Sequence, residues 1–197
     1  MNLSKTELLR STTRQQLAWN KQETFNLQSL NEKGEQIVPN KRAKILGVVF
    51  SDNINWANHL EVGKGAILPN CKKKLGALKH TSNKANFKDK KRLADGVIMS
   101  RLTYGIQIWG LNAAKSTLNK VQTVQNLTMK WVTGTNLGIS TKQLLDKMNW
   151  LSIHQLAIYH SVLLLWKIKK HKEPRRTIEI LQNSDKSKPR IELTSRI

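Results

Sequence analysis

Lys44-Ile-Leu-Gly-Val-Val-Phe-Ser-Asp-Asn-Ile-Asn-Trp-Ala-Asn-His-Leu60 decides the fold class, because the hydrophobic period changes inside it. Lys44 to Phe50 is a short apolar run and reads as a buried strand. Within it, Gly47 follows Leu46, and its missing side chain lets another backbone come close. Ser51-Asp52-Asn53 is a turn, in which Asp52 serves as a turn former or helix cap. A helix then opens at Trp56.

Upstream of this stretch the pattern is one of short strands. Lys5 to Leu9 reads as a strand, and Phe25 to Leu30 alternates apolar and polar residues. Asn31-Glu-Lys-Gly34 is a turn that brings Gln36 to Pro39 back as a hairpin partner. Lys44 to Phe50 is the fourth and most apolar strand. So small a sheet cannot stand alone: either it packs on the helices that follow, or it is the edge of a larger sheet.

Downstream the period is helical. Leu60, Lys64, Ile67, Leu68, Leu75 and Leu78 trace a helix interrupted or restarted at Pro69. Leu93, Val97, Ile98, Leu102, Ile106 and Trp109 share one face of a second helix, with Lys88, Lys91, Arg92 and Asp95 largely opposite. Leu118, Val121, Val124, Leu127 and Trp131 form a third stripe that stops at Thr133-Gly134. Ser140, three residues before Gln143, caps a short helix to Met148. Ser152 caps a long one to about Lys170, whose middle is apolar all round and therefore read as buried. Past Lys172, charge and Pro174 and Pro189 indicate a loose tail with one helical turn near Ile178 to Leu181. The resulting expectation is an α+β chain: a small antiparallel N-terminal sheet over residues 1–55, a helical bundle over 56–171 and a basic tail over 172–197.

Charge is the strongest compositional signal. The 197 residues carry a net charge of +21, with 39% hydrophobic residues that fit a folded chain. Such an excess attracts polyanions, nucleic acid first and anionic membrane second; the competing reading is a generally cationic, solvated surface. Between Asp95 and Asp146 there is no acidic residue, while Arg101, Lys115, Lys120, Lys130 and Lys142 fall there. Ion pairing within that segment cannot neutralise it.

Cys71 is the single cysteine, so no internal disulfide forms and a reducing compartment is the easier home. One Cys and five scattered His give no zinc-ligand spacing, and His154 and His160 read as packing or surface residues. No apolar N-terminal run marks a signal peptide, and Val162-Leu-Leu-Leu-Trp166 is too short to span a bilayer and is assigned to the core. Trp109, Trp131 and Trp166 lie on apolar stripes and read as core residues rather than base-stacking platforms; Trp56 is ambiguous, and Trp19 alone sits in a markedly polar setting.

Several phrases recur in a familiar order. Asn2-Leu-Ser-Lys-Thr-Glu7, the Leu46-Gly47 turn with its Trp56/His59 helix, and Tyr104-Gly-Ile-Gln-Ile-Trp-Gly110 are the first three. Lys90-Lys-Arg-Leu93 begins the helix leading to the third, and Val121 to Asn126 with Met129-Lys130, Asn149-Trp150 to Ile153, and Tyr159-His160 follow. Together they resemble the region after the catalytic palm in reverse transcriptases of non-LTR (LINE-like) retrotransposons, over most of the chain to about Lys170. The resemblance implies a primer grip at Leu46-Gly47 with Lys41, Arg42 and Lys44 beside it, and a thumb-like bundle. A thumb tracks a duplex through phosphates, for which Lys72, Lys73, Lys74, Lys88, Lys90, Lys91, Arg92 and Arg101 are the candidates. Taken singly, each cluster reads equally as a solvated helix face, and Gly47 as a residue packed against a neighbouring strand.

The catalytic part of that family is not visible here. Its polymerases hold two magnesium ions on palm carboxylates, including a Tyr/Phe-x-Asp-Asp hairpin. No two acidic residues are adjacent in this chain, and no endonuclease cluster, Ser/His/Asp set or Gly-rich phosphate loop is present. The resemblance therefore implies a truncated piece with fingers and palm lost upstream. Such a piece would have no cofactor of its own, while the two magnesium ions belong to the intact parent. Its partners would be an RNA–DNA or DNA duplex and the missing palm, with no membrane, in cytoplasm and nucleus. The alternative is a decayed or repurposed helical module that binds a protein through Leu and Trp faces.

Overall fold

A computed structural model describes Leu9, residues 40–63, 65–82, 84–135 and 138–172, and residues 174, 177 and 179. The strands read at Phe25–Leu30 and Gln36–Pro39 lie outside the described residues, as do most of Lys5–Leu9 and of the turn at Ile178–Leu181. Leu9 makes an isolated parallel bridge to Asn40.

The apolar run that opens the decisive stretch is not one strand. It is a hairpin of β1 (Arg42–Ile45) and β2 (Val48–Ser51), paired antiparallel with Ile45 opposite Val48. Leu46 and Gly47 form the two-residue loop, with φ of 48° and 83°. Positive φ at both loop residues matches the right-handed twist of the flanking strands. Leu46, unlike Gly47, takes this backbone against the preference of a Cβ-bearing residue. The Ser51–Asn53 turn is present: Asp52 accepts from the Asn53 N–H at 2.8 Å, and Ser51 Oγ accepts from the Asn55 N–H at 2.9 Å.

Helix α1 (Ala57–Leu60) follows Trp56, and α2 (Ile67–Thr81) starts after a Gly-containing connection. The restart therefore falls at Ile67 rather than Pro69. Pro69 lies in the first turn, where its missing N–H costs no hydrogen bond. Leu68, Cys71 and Leu75 turn one face of α2 inward.

The second predicted helix divides. Helix α3 (Phe87–Leu93), capped by Asn86 Oδ1 on the Asp89 N–H, widens into a π-helical segment (Ala94–Met99) and closes with α4 (Ser100–Leu102). Thr103 to Gly105 then break the chain before α5 (Ile106–Trp109). The predicted stripe nevertheless points inward, with Ile98, Leu102, Ile106 and Trp109 fully buried. The break serves one of them, because the Trp109 indole N–H donates to the Tyr104 carbonyl at 2.9 Å.

Helix α6 (Lys115–Thr133) ends at Gly134, with φ of 64°, as expected. The expected Ser140–Gln143 capping box opens α7 (Thr141–Met148), and Ser152, expected as a cap, forms a full box with Gln155 to open α8 (Ile153–His171). A polar chain inside the bundle fixes where α8 begins. Buried Gln125 donates to the Leu151 carbonyl at 2.8 Å and accepts from Gln122 at 2.8 Å. Gln122 Oε1 in turn accepts from the Ile153 N–H at 2.9 Å.

The main core joins the hairpin to the bundle through Val48, Trp56, Leu60, Leu68, Ile98, Ile106, Trp109, Val121 and Ile153. Of the two alternatives for the sheet, packing on the following helices is therefore realised. Ala94, Met129, Val132, Leu144 and Met148 make a second, smaller cluster. The fold is α+β, a two-stranded antiparallel sheet followed by helices.

One expectation fails. The apolar middle of α8 is not buried: Val162, Leu164, Leu165 and Trp166 are all exposed, Val162 at 58%. Ile153, Ala157 and Ile168 form its covered side, packed on α5 and α6. An apolar stripe all the way round says how much surface a helix could bury, but not how many neighbours it has. Trp166 is thus outside the core, with Lys170 Nζ 4.7 Å from its ring centroid. Trp109 is inside it, Trp56 is buried, and Trp131 packs half-buried between the two clusters. Among the described residues no helix is long and apolar enough to cross a membrane.

Candidate nucleic-acid interface

The hairpin places Leu46 at its tip, 86% exposed, and holds that tip from behind. Tyr104, in the break between α4 and α5, donates its hydroxyl hydrogen to the Leu46 carbonyl at 2.5 Å. Its ring backs Gly47, where an added Cβ would sit 3.4 Å from Tyr104 Cε1. Gly47 therefore does pack closely, but against an aromatic ring rather than a neighbouring strand.

Beside the tip lies a cleft of about 350 Å³ lined by Lys44, Gly47, His59, Gly65, Ile67, Ser100, Arg101 and Tyr104. Four segments meet there: the hairpin, α1 through His59, the start of α2, and α4 with the break that follows it. Of the residues predicted to touch nucleic acid, Lys44, Gly47 and Arg101 come together in this lining. Lys41 and Arg42 are exposed at the start of the hairpin. Lys72 and Lys73 are exposed on α2, with Lys74 half-buried, and none of the three lines the cleft. Lys88 and Arg92 are exposed on α3 while Lys90 and Lys91 are half-buried, and these four also stand apart from it.

The electrostatics around the cleft are those of a cationic environment. Burial lowers the pKa of His59, and the Lys44 charge lowers it further, so the imidazole is held neutral. Its Nδ1 accepts from the Val49 N–H at 3.3 Å, which leaves the remaining hydrogen on Nε2. Nε2 is buried and has no hydrogen-bond partner among the described residues. Cys71, on the inward face of α2, is pushed up to about 11 by burial, with the nearby Arg101 and Lys74 charges pulling the other way. That thiol is a packed core group rather than a nucleophile.

The acid-free segment finds its one ion pair with a described residue outside itself. Glu61 accepts from Lys120 and, at 2.7 Å, from Thr117 Oγ1. The Lys120 and Thr117 hydrogen bonds hold this carboxyl below its ordinary range. Among the described residues no three His, Cys, Asp or Glu side chains are grouped to hold a metal ion.

His59, Ser100 and Gly65 belong to the cleft but carry no site role in the sequence reading. The available signal was weak: His59 follows Trp56 at helical spacing, which reads as packing. Tyr104 stands in the Tyr-Gly-x-x-x-Trp phrase, yet nothing local says that its hydroxyl reaches back 58 residues. No family model matches the chain, and neither a curated protein nor a solved structure matches it.

Proposed function

We propose that the chain is a nucleic-acid-binding module, derived from the region after the palm of a non-LTR retrotransposon reverse transcriptase, that holds a template–primer duplex through its backbone and has no catalysis of its own. The observation that carries this reading is the hairpin tip. Leu46 is a large apolar residue held in a conformation that favours Asn or Gly, almost wholly exposed and anchored by Tyr104. A local rule broken at an exposed tip with cationic flanks is a mark of a contact surface. Lys44 and Arg101 stand on one flank of the tip, and the exposed lysines of α2 and α3 add further phosphate contacts. The two magnesium ions of an intact polymerase have no adjacent carboxylates here, so no step of this reading runs through them. The reading carries with it a palm domain as partner and work in cytoplasm and nucleus.

The test is fluorescence anisotropy of a short RNA–DNA hybrid titrated with the purified chain across a salt series. The logarithm of the binding constant falls with the logarithm of salt by about 0.9 for each phosphate neutralised. A chain that shows no salt-dependent binding sinks the reading.

A second reading rests on a different observation. Ile158, Tyr159, Val162, Leu165 and Trp166 expose apolar surface along α8. Such a strip fits a helical protein-interaction module. It predicts hybrid binding that vanishes at physiological salt and self-association, or a defined partner, that Trp166→Ala abolishes in sedimentation velocity.

A further inference from the structure

The cleft beside the hairpin is built for one anion more than for a track of them. Among its polar groups, two hydroxyls are already committed as donors. Tyr104 gives its hydrogen to the Leu46 carbonyl, and Ser100 Oγ gives its own to the Gly96 carbonyl at 2.6 Å. The donors that remain are Lys44, Arg101 and the imidazole of His59. The single ion pair between described residues uses neither of the two cations. His59 is 3% exposed and lines the cleft, and its Nε2 hydrogen has no acceptor among the described residues. Leaving a buried donor unpaired is unfavourable, so an acceptor brought to it is stabilised there.

The start of α2 meets the same cleft through Gly65 and Ile67. This is a 15-residue helix whose N-cap, Ala66, has no side chain able to accept a hydrogen bond, and its first turn carries no acidic residue. The early N–H groups of such a helix lack intrahelical partners, and its dipole favours negative charge. Helix start, unpaired imidazole N–H and two cations therefore converge on one concavity. Its volume, about 350 Å³, lies at the small end of ligand pockets.

We propose that this cleft is a binding site for a single phosphate monoester, the dianion borne by a nucleoside monophosphate or by the phosphorylated end of a strand. Lys44 and Arg101 supply two positive charges to match the dianion. His59 Nε2 and the N–H groups that precede Pro69 at the start of α2 supply uncharged donors to its oxygens. A phosphodiester carries one charge and must leave the cleft at both ends, so it fits less well. The site does not depend on the duplex reading, and failure of hybrid binding leaves it standing.

The experiment uses the full chain labelled with nitrogen-15 histidine at physiological salt, which suppresses attraction to the general +21 charge. Inorganic phosphate and adenosine 5′-monophosphate are titrated against adenosine and the dinucleoside monophosphate ApA. The expected result is a saturable, one-to-one shift of the His59 Nε2 resonance with the two monoester-type anions, and binding of ApA weaker by about tenfold. Arg101→Gln lowers affinity by about tenfold, while the double variant Lys72→Gln/Lys73→Gln stays within about twofold. Competition by 5′-phosphorylated and 5′-hydroxyl oligonucleotides then separates the sources. Displacement by the phosphorylated end alone assigns a strand end, and no displacement by either assigns a free mononucleotide; both keep the proposal. Absence of a saturable shift, or equal weakening by the Lys72/Lys73 variant, overturns it. The histidine resonance is read in the unaltered chain, so the presence or absence of the shift does not depend on any variant folding.

Discussion

Tyr104 and Leu46 are joined by a hydrogen bond of 2.5 Å from phenol to carbonyl, across 58 residues of sequence. The bond ties a two-stranded hairpin, an element of marginal stability alone, to the helical body. Tyr104→Phe keeps the ring behind Gly47 and removes only the donor. Because Tyr104 is half-exposed, water replaces the lost partner and global stability falls by only about 0.5–1 kcal/mol. Hydrogen exchange at the hairpin amides reads the effect more sharply. Their protection should drop while that of α6 stays unchanged, and an unchanged hairpin would show that the tip is held by the strands alone.

Leu46 itself is expected to be replaceable with a gain. Asn adopts positive φ more readily than Leu, so Leu46→Asn should raise stability by about 0.5–1 kcal/mol. Urea denaturation measures the gain. Under the duplex reading the same variant binds hybrid more weakly, so stability and affinity move in opposite directions.

Gly110, at the end of α5, lies against Ala157 of α8. A Cβ there would lie 2.7 Å from Ala157 Cβ on α8 and 2.5 Å from the Ile106 carbonyl oxygen. Gly110→Ala should cost about 1–3 kcal/mol by overpacking. Adding Ala157→Gly relieves the clash with α8, and a double-mutant cycle should recover part of the loss; strict additivity would contradict the contact.

Gln122 and Ser152 both fasten the start of α8, with unequal weight. Ser152→Ala removes one cap and should cost about 1 kcal/mol. Gln122→Ala strips the acceptor from the Ile153 N–H and the donor from Gln125 Oε1, leaving those two atoms without these partners while Gln125 still donates to the Leu151 carbonyl. Its expected cost is larger, about 2–3 kcal/mol in denaturant unfolding.

Acid should weaken the fold in two separate windows. His59 has a lowered pKa in the folded chain, so the unfolded chain takes up a proton first as pH falls below 6.5, and stability declines from there down to the folded value. Glu61 is likewise lowered, so the contribution of its contacts is complete above the ordinary carboxylate range and is lost as pH falls through the folded value. The second step is small, below about 1 kcal/mol, because Lys120 is 59% exposed and solvent screens the pair. Stability against pH, measured by denaturant midpoints, should lose its upper step in His59→Gln and its lower step in Glu61→Gln.

Local signals carried much of this architecture. Ser140 announced its helix because a capping box is written in four consecutive residues, Ser152 announced its own as an N-cap, and Gly134 ended α6 for an equally local reason. The inward stripe from Ile98 to Trp109 was legible because helical spacing survives a π-helical turn and a break. The hairpin was not legible from the period, which reads Lys44 to Phe50 as one strand although the resemblance places a turn at Leu46-Gly47. Leu46 is a poor turn residue, and an unbroken apolar run conceals a two-residue loop. Pro69 misled for the opposite reason: a strong breaker is harmless in the first turn of a helix.

The sequence by itself determined the α+β order, the helix caps, the inward faces and the large positive charge, all of which depend on residues a few positions apart. Only the tertiary structure decided that the middle of α8 stays exposed, that Tyr104 holds Leu46, and that Lys44, His59, the start of α2 and Arg101 share one cleft. Those relations join segments separated by tens of residues, and they follow from which faces have neighbours to bury them. Periodicity records that a face is apolar or basic; what it meets is settled by packing.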